Sequence, residues 1–185
     1  MTVVANQVRV LLRDLLERRA GTVWLAMAQR SKFEGWLKLE LAAVLSGQIR
    51  IADVRLGDQY PGGGRADLSF SYDGVKWFVE MKTANTNWRH AAIESKTRPI
   101  KMNIDDIIED IKKARRGRVP SNAIVLFVIF PIPRRIWTRE REKLLYHLRR
   151  IEREATLAHG SVEKSGEFVE LQEGVGLAIY VLDIV

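Results

Sequence analysis

The sequence contains no cysteine. This absence excludes a disulfide scaffold, thiolate zinc sites, iron–sulfur clusters and catalysis by a cysteine nucleophile. Histidine is scarce as well, and His90, His147 and His159 lack the spacing of metal ligands. Long apolar runs are also missing, because the longest, over residues 123–130, is far shorter than the ~20 residues that span a bilayer. We therefore expect neither sulfur chemistry nor a membrane-spanning helix.

The charge of the chain is unbalanced. Lys and Arg together number 30, whereas Asp and Glu number 23, so the formal net charge is +7. Such an excess favours a polyanionic partner, nucleic acid first and an anionic membrane surface second. The apolar core of a signal peptide is absent, since charges interrupt the N-terminal region at Arg9, Arg13, Glu17 and Arg18. We expect a cytoplasmic protein whose 185 residues form one main domain.

Helical periodicity dominates the first part of the chain. Apolar residues recur at helical spacing from Val4 to Leu15, and Gly21 is the expected break in an N-terminal helical segment over residues 1–30. A further helix is expected from Ser31 to Ser46, because Ser31 and Glu34 have the spacing of a capping box. The main domain is then expected over residues 31–185.

After residue 49 the period changes to two, which indicates strands. Two alternating runs, 65–72 and 75–83, flank Asp73-Gly74, and this pair favours a type I′ hairpin turn. The remaining pattern predicts a loop over 84–101, a helix capped by Asn103, a buried strand over 123–130 ended by Pro131 and Pro133, a helix opened by Thr138, and a last strand over 177–184. This order indicates an α/β or α+β domain with a mixed central sheet flanked by helices.

The register of this hairpin brings charged residues together. With Asp73 and Gly74 in the turn, Tyr72 faces Val75, and Asp67 is expected directly opposite Glu80 with Cβ atoms about 4.5–5.5 Å apart. Lys82 is expected on that same face of the sheet. The opposite face is expected to be apolar, with Ala66, Leu68, Phe70, Trp77, Val79 and Met81.

Two facing carboxylates at that distance repel by roughly 1–3 kcal/mol. Stability alone would not favour such a pair, whereas a hard divalent cation resolves the clash, because Mg²⁺ binds carboxylates and keeps waters for a phosphate substrate. Mn²⁺ is expected to substitute for it. The neighbouring Lys82 can orient or deprotonate an attacking water, or offset charge in a phosphoryl transition state.

Asp67 followed by Glu80-Met81-Lys82 resembles the D…(D/E)-x-K signature of the PD-(D/E)xK, restriction-endonuclease-like nucleases. The resemblance spans about residues 31–130, since the family places a helix before the sheet, the acids on antiparallel strands and a helix afterwards. Ala66 stands where the family name has proline. The resemblance implies that Asp67 and Glu80 hold Mg²⁺ together with the backbone carbonyl of Met81, and that Lys82 assists the hydrolytic water.

The family also draws a further Glu from the helix before the sheet. Glu34 and Glu40 are both candidates, and we favour Glu40, because it borders the apolar stripe in mid-helix while Glu34 has a local role in the capping box. The resemblance further suggests substrate contacts from residues that follow the E-x-K strand, namely Thr83, Asn85, Asn87 and Trp88. A basic cluster suited to a phosphate backbone comprises Lys112, Lys113, Arg115 and Arg116.

These features predict a Mg²⁺-dependent endodeoxyribonuclease that hydrolyses phosphodiester bonds, with DNA favoured over RNA. A homodimer is considered because cutting both strands needs two active sites. Two alternatives remain open. The first is a catalytically inactive nucleic-acid-binding or assembly module with the same fold, and the second is a module that binds an acidic protein.

Overall fold

A mixed β-sheet forms the centre of the structure. The computed structural model describes residues 2–29, 31–86, 88, 90, 93, 100–115, 122–157, 160–162, 166–172 and 174–184. The strands are β1 (Ile51–Leu56), β2 (Leu68–Tyr72), β3 (Val75–Asn85), β4 (Ala123–Pro133), β5 (Gly160–Val162), β6 (Glu167–Gln172) and β7 (Val175–Ile184). The helices are α1 (Val3–Arg18), α2 (Ala20–Ala28), α3 (Glu34–Ser46), α4 (Ile100–Arg115), α5 (Arg134–Thr138) and α6 (Glu142–Leu157).

Strand order confirms the predicted mixed sheet flanked by helices. The strands follow the order β1-β2-β3-β4-β7-β5, and β6 pairs with β7 as well. Strands β3 and β4 are parallel, whereas β2 is antiparallel to β3 and β7 is antiparallel to β4. None of the described helices is long and apolar enough to cross a membrane.

Strand β4 lies at the centre and is buried along its whole length, as its continuous apolar run predicts. Alternate residues enter two hydrophobic clusters, with Ile124 and Leu126 facing the α1–α3 side and Val125 and Phe127 facing the α4–α6 side. The prolines do not end the strand at Phe130, contrary to expectation. Parallel pairing with β3 stops at Phe130, so the missing proline N–H groups leave no gap in that ladder.

The N-terminal helices pack into the same core as α3. Val8 and Leu12 of α1 and Val23 of α2 are buried in one cluster with Leu37 and Leu41. Full burial of each apolar side chain of this kind contributes about 1.5–3 kcal/mol to stability. Several such side chains together hold residues 2–28 against the sheet. The break between α1 and α2 falls at Arg19, and the predicted break at Gly21 was wrong.

Three predicted helix starts were wrong, and in two of them the expected cap residue has another hydrogen-bond partner. Helix α3 begins at Glu34 after Phe33, which provides no side-chain cap, rather than at Ser31. Asn103 lies inside α4 and donates from Nδ2 to the Asn85 carbonyl oxygen. Thr138 ends α5, where its hydroxyl bonds to the Arg134 carbonyl oxygen.

The predicted hairpin register is confirmed. Tyr72 pairs with Val75 and Leu68 pairs with Val79. Both turn residues have positive φ, 48° at Asp73 and 79° at Gly74, as a type I′ turn requires. Strand β1 pairs with β2 through a register shift between Ala52 and Arg55.

Replacing Gly74 with alanine tests this turn. Gly74→Ala should lower the free energy of unfolding by about 1–2 kcal/mol, because a Cβ is strained at this positive φ. Gly21→Ala is the matched control, since Gly21 lies in a helix with open space around its would-be Cβ. It should raise stability or leave it unchanged. Urea denaturation measures both, and equal losses in the two variants would contradict the turn assignment.

Candidate functional site

Strand β3 is longer than its partner β2, and this mismatch creates the site. Pairing with β2 ends at Val79, whereas pairing with β4 continues to Asn85. The backbone N–H groups of Met81 and Thr83 point to the side that β2 has left. Two carboxylates accept their hydrogen bonds: Asp67 Oδ2 lies 2.8 Å from Met81 N, and Glu34 Oε2 lies 3.0 Å from Thr83 N. Side chains thus replace a strand along this edge.

Lys38 joins these two carboxylates. Its Nζ lies 2.7 Å from Asp67 Oδ1 and 3.0 Å from Glu34 Oε1, one helical turn away on α3. Burial lowers the pKa of Lys38, but the hydrogen bonds to Asp67 and Glu34 raise it more, so the net shift is upward. The ammonium is therefore retained at neutral pH. Sequence reasoning missed Lys38, although its i,i+4 spacing from Glu34 was visible.

Glu80 lies in a more buried setting nearby. Tyr60 donates its hydroxyl to Glu80 Oε1 at 2.5 Å. Burial raises the pKa of Glu80 to about 7; the charges of Asp67 and Asp110 add to the rise, and the Tyr60 hydrogen bond opposes it. Tyr60 was not predicted, because it lies in an irregular stretch between β1 and β2. Burial and the bond to Glu80 also raise the pKa of Tyr60 itself.

Lys82 points toward helix α4. Its Nζ lies 3.2 Å from Asp110 Oδ2, and the Asp110 side chain is only 5% exposed. Burial lowers the pKa of Lys82, but the charge and hydrogen bond of Asp110 and the charges of Asp67 and Glu34 raise it above its ordinary value. Lys82 is thus a cation at neutral pH. The sequence offered no reason to choose Asp110 as its partner.

Asp67, Glu80 and Lys82 are near enough for their charges to act on one another, but no described hydrogen bond or ion pair joins them directly. The β2 ladder begins at Leu68, so Asp67 lies one residue outside it and turns toward the edge of β3 instead of standing across from Glu80. Ala66 also departs from expectation, because it packs with Tyr60 and Phe78 rather than in the main core.

The structure places Glu34, not Glu40, beside Asp67. Glu40 pairs with Arg19 at 3.2 Å on another side of α3, because six residues along a helix rotate a side chain well away from Glu34. The expected reciprocal capping bond of Glu34 with Ser31 is absent from the described contacts, since α3 starts at Glu34 and its carboxylate binds Lys38 and Thr83.

The expected substrate-binding residues are in varied settings. The Thr83 hydroxyl bonds to Glu34 Oε2 at 3.2 Å, and the Asn85 carbonyl oxygen accepts from Asn103. Trp88 packs against the cluster beneath α4, and Lys112 pairs with Glu109 at 2.8 Å. Asn87, Arg116 and the side chains of Lys113 and Arg115 lie outside the described residues.

A cleft of about 560 Å³ opens at the C-terminal end of β3, between α3 and α4. Acidic and basic side chains both line it, namely Lys32, Glu34, Lys82, Asp106, Glu109 and Asp110. In the described part of the chain, no three His, Asp or Glu side chains are grouped closely enough to hold a metal ion as they stand.

Comparison of the chain with protein-family models, with curated proteins and with solved structures gives no match.

Titration of Glu80 provides a test of the site's electrostatics. Between its ordinary pKa of 4.5 and about 7, the unfolded chain has lost a proton that folded Glu80 retains, so stability falls as the pH rises through this window. Glu80→Gln does not titrate and keeps an acceptor for Tyr60. Its stability relative to wild type should rise by about 1–2 kcal/mol from about pH 5 to about pH 8, a figure reduced for partial exposure.

Chemical denaturation in EDTA at several pH values measures this difference. Glu142→Gln is the control, because the Glu142 side chain is 75% exposed. A difference for Glu80→Gln that does not change with pH would show that burial does not shift this carboxyl group.

Proposed function

We propose that the chain is a Mg²⁺-dependent nuclease that hydrolyses phosphodiester bonds in DNA. The observation that carries the proposal is the convergence of Asp67 and Glu34 on the uncovered edge of β3, beside Glu80 and Lys82. A cytoplasmic location and a dimer that presents two sites to the two DNA strands belong to the same proposal.

The donor atoms at this edge suit a hard cation. They are carboxylate oxygens, and the Met81 carbonyl points to the same edge as its N–H, because a strand residue directs both groups to one side. Asp67, Glu80 and the Met81 carbonyl would hold Mg²⁺, with Glu34 as the additional acid. Burial is the main cause of the raised pKa of Glu80, and the charges of Asp67 and Asp110 add to it, so a cation bound here would favour the ionised carboxylate. Bound Mg²⁺ would polarise the phosphate and make a water more acidic.

Lys82 contributes a fixed positive charge. Because its pKa is raised, it suits orienting the attacking water and offsetting negative charge at the phosphorus better than it suits removing a proton. Asp110 fixes the direction of the ammonium from α4. The sequence left these roles open, and the Asp110 contact favours the cationic one.

The net charge of +7 supports a polyanionic substrate. The site contains four acids, Glu34, Asp67, Glu80 and Asp110, and two lysines, Lys38 and Lys82, so the rest of the chain is more basic than the total charge indicates. A positive field of this kind draws DNA toward a local group of carboxylates that would otherwise repel it.

One observation favours the inactive DNA-binding alternative. Lys38 already bridges Glu34 and Asp67, and the N–H groups of Met81 and Thr83 bind the same carboxylates, so both acids have hydrogen-bond partners without a metal. Activity therefore has to be measured together with binding.

Plasmid cleavage tests the proposal. Wild-type protein should nick supercoiled DNA in Mg²⁺ and stop in EDTA, and Asp67→Asn and Lys82→Met should each slow nicking by about 100-fold or more. Lys76→Met is the matched control, because Lys76 is on the same strand but pairs with Asp58. It should cut like wild type.

One result would contradict the role of Lys82, and another would contradict the nuclease proposal itself. Undiminished cutting by Lys82→Met would remove the assigned role of Lys82. Tight DNA binding with no cutting of supercoiled, linear, branched or single-stranded DNA would favour the inactive module.

A further inference from the structure

Lys38 occupies the point where the Glu34 and Asp67 carboxylates meet. Each carboxylate gives one oxygen to the edge of β3 and the other to Lys38 Nζ. The Lys38 ammonium therefore bridges the two carboxylates.

This contact differs from an ordinary surface ion pair. The side chains of Lys38, Glu34 and Asp67 are 20%, 29% and 21% exposed, so solvent screens them only in part. The carboxylates are also held in place by backbone N–H groups, and α3 fixes the root of Lys38 one turn from Glu34. The fold thus holds the charged groups of Lys38, Glu34 and Asp67 next to one another.

A divalent cation bound to Asp67 would stand close to this ammonium. Like charges at such a distance repel, and the Asp67 oxygen that Lys38 contacts is one that such a cation would also use. Lys38 and the metal consequently compete for the same carboxylates, and Lys38 must move or share them when the metal binds.

We propose that Lys38 is an internal cation that keeps Glu34 and Asp67 assembled in the metal-free protein and lowers the affinity of this site for divalent metal. The inference rests on the proposed nuclease function, and it deepens that function by naming what regulates metal loading. Sequence reasoning assigned Lys38 no role.

Direct metal binding tests the inference without relying on DNA cleavage. Mn²⁺ binding is measured by the loss of the free-ion paramagnetic resonance signal and by calorimetry. Lys38→Met should bind Mn²⁺ at least tenfold more tightly than wild type, and Asp67→Asn should abolish the binding. Lys32→Met is the charge-matched control; Lys32 lines the same cleft and, among the described residues, forms no ion pair with either carboxylate.

Thermal melting supplies an independent readout. In EDTA, Lys38→Met should melt below wild type, because Glu34 and Asp67 then repel without a shared cation, and saturating Mn²⁺ should restore more of its Tm than it adds to wild type. Lys38→Gln, which keeps hydrogen-bond donors but not the charge, serves if Lys38→Met does not fold. Lys38→Arg, which keeps the charge, should bind Mn²⁺ like wild type.

The outcomes separate this inference from the proposed function. Binding by wild type that depends on Asp67, with equal or weaker binding by Lys38→Met and Lys38→Gln, would overturn the role of Lys38 and leave the nuclease proposal intact. No binding by any variant would overturn both. Binding by the Lys38 variants but not by wild type would support the inference in its strongest form.

Discussion

The site depends on one unpaired strand edge. Strand β3 extends beyond the end of its pairing with β2. The N–H groups of Met81 and Thr83 therefore need other acceptors, because an unpaired N–H group in the interior is energetically costly. Asp67 and Glu34 supply these acceptors, one from the residue just before β2 and the other from the first turn of α3. Satisfying the backbone N–H groups thus brings two negative charges to one place, where Lys38 contacts both of them.

Two lysines form ion pairs with the acids of the site. Lys38 comes from α3 and contacts both acids, whereas Lys82 extends from β3 to the buried Asp110 of α4. Glu80 is held by Tyr60 and has no lysine partner among the described contacts, and burial is the main cause of its raised pKa. A metal bound beside Glu80, as proposed, would favour the ionised form of this carboxyl group.

Local patterns predicted local structure well. The Asp73-Gly74 turn, the hairpin register and the buried strand β4 follow from turn chemistry and periodicity within a few residues. Contacts between distant segments were harder to predict. The sequence pattern predicted a local capping role for Glu34. Its carboxylate instead accepts a hydrogen bond from the N–H of Thr83, which is 49 residues away in the chain. Strands β5 and β6 were missed because they are short and β6 is interrupted by charged residues.

We propose that the edge of β3 binds a divalent metal through Asp67 and Glu80. The most direct measurement is a crystal structure with Mn²⁺, in which anomalous scattering locates the ion. The account predicts one strong peak within ligand distance of Asp67, Glu80 and the Met81 carbonyl oxygen, with Lys38 Nζ moved away from Asp67 Oδ1. A crystal at saturating Mn²⁺ with no peak there, and with Lys38 still bridging Glu34 and Asp67, would contradict it.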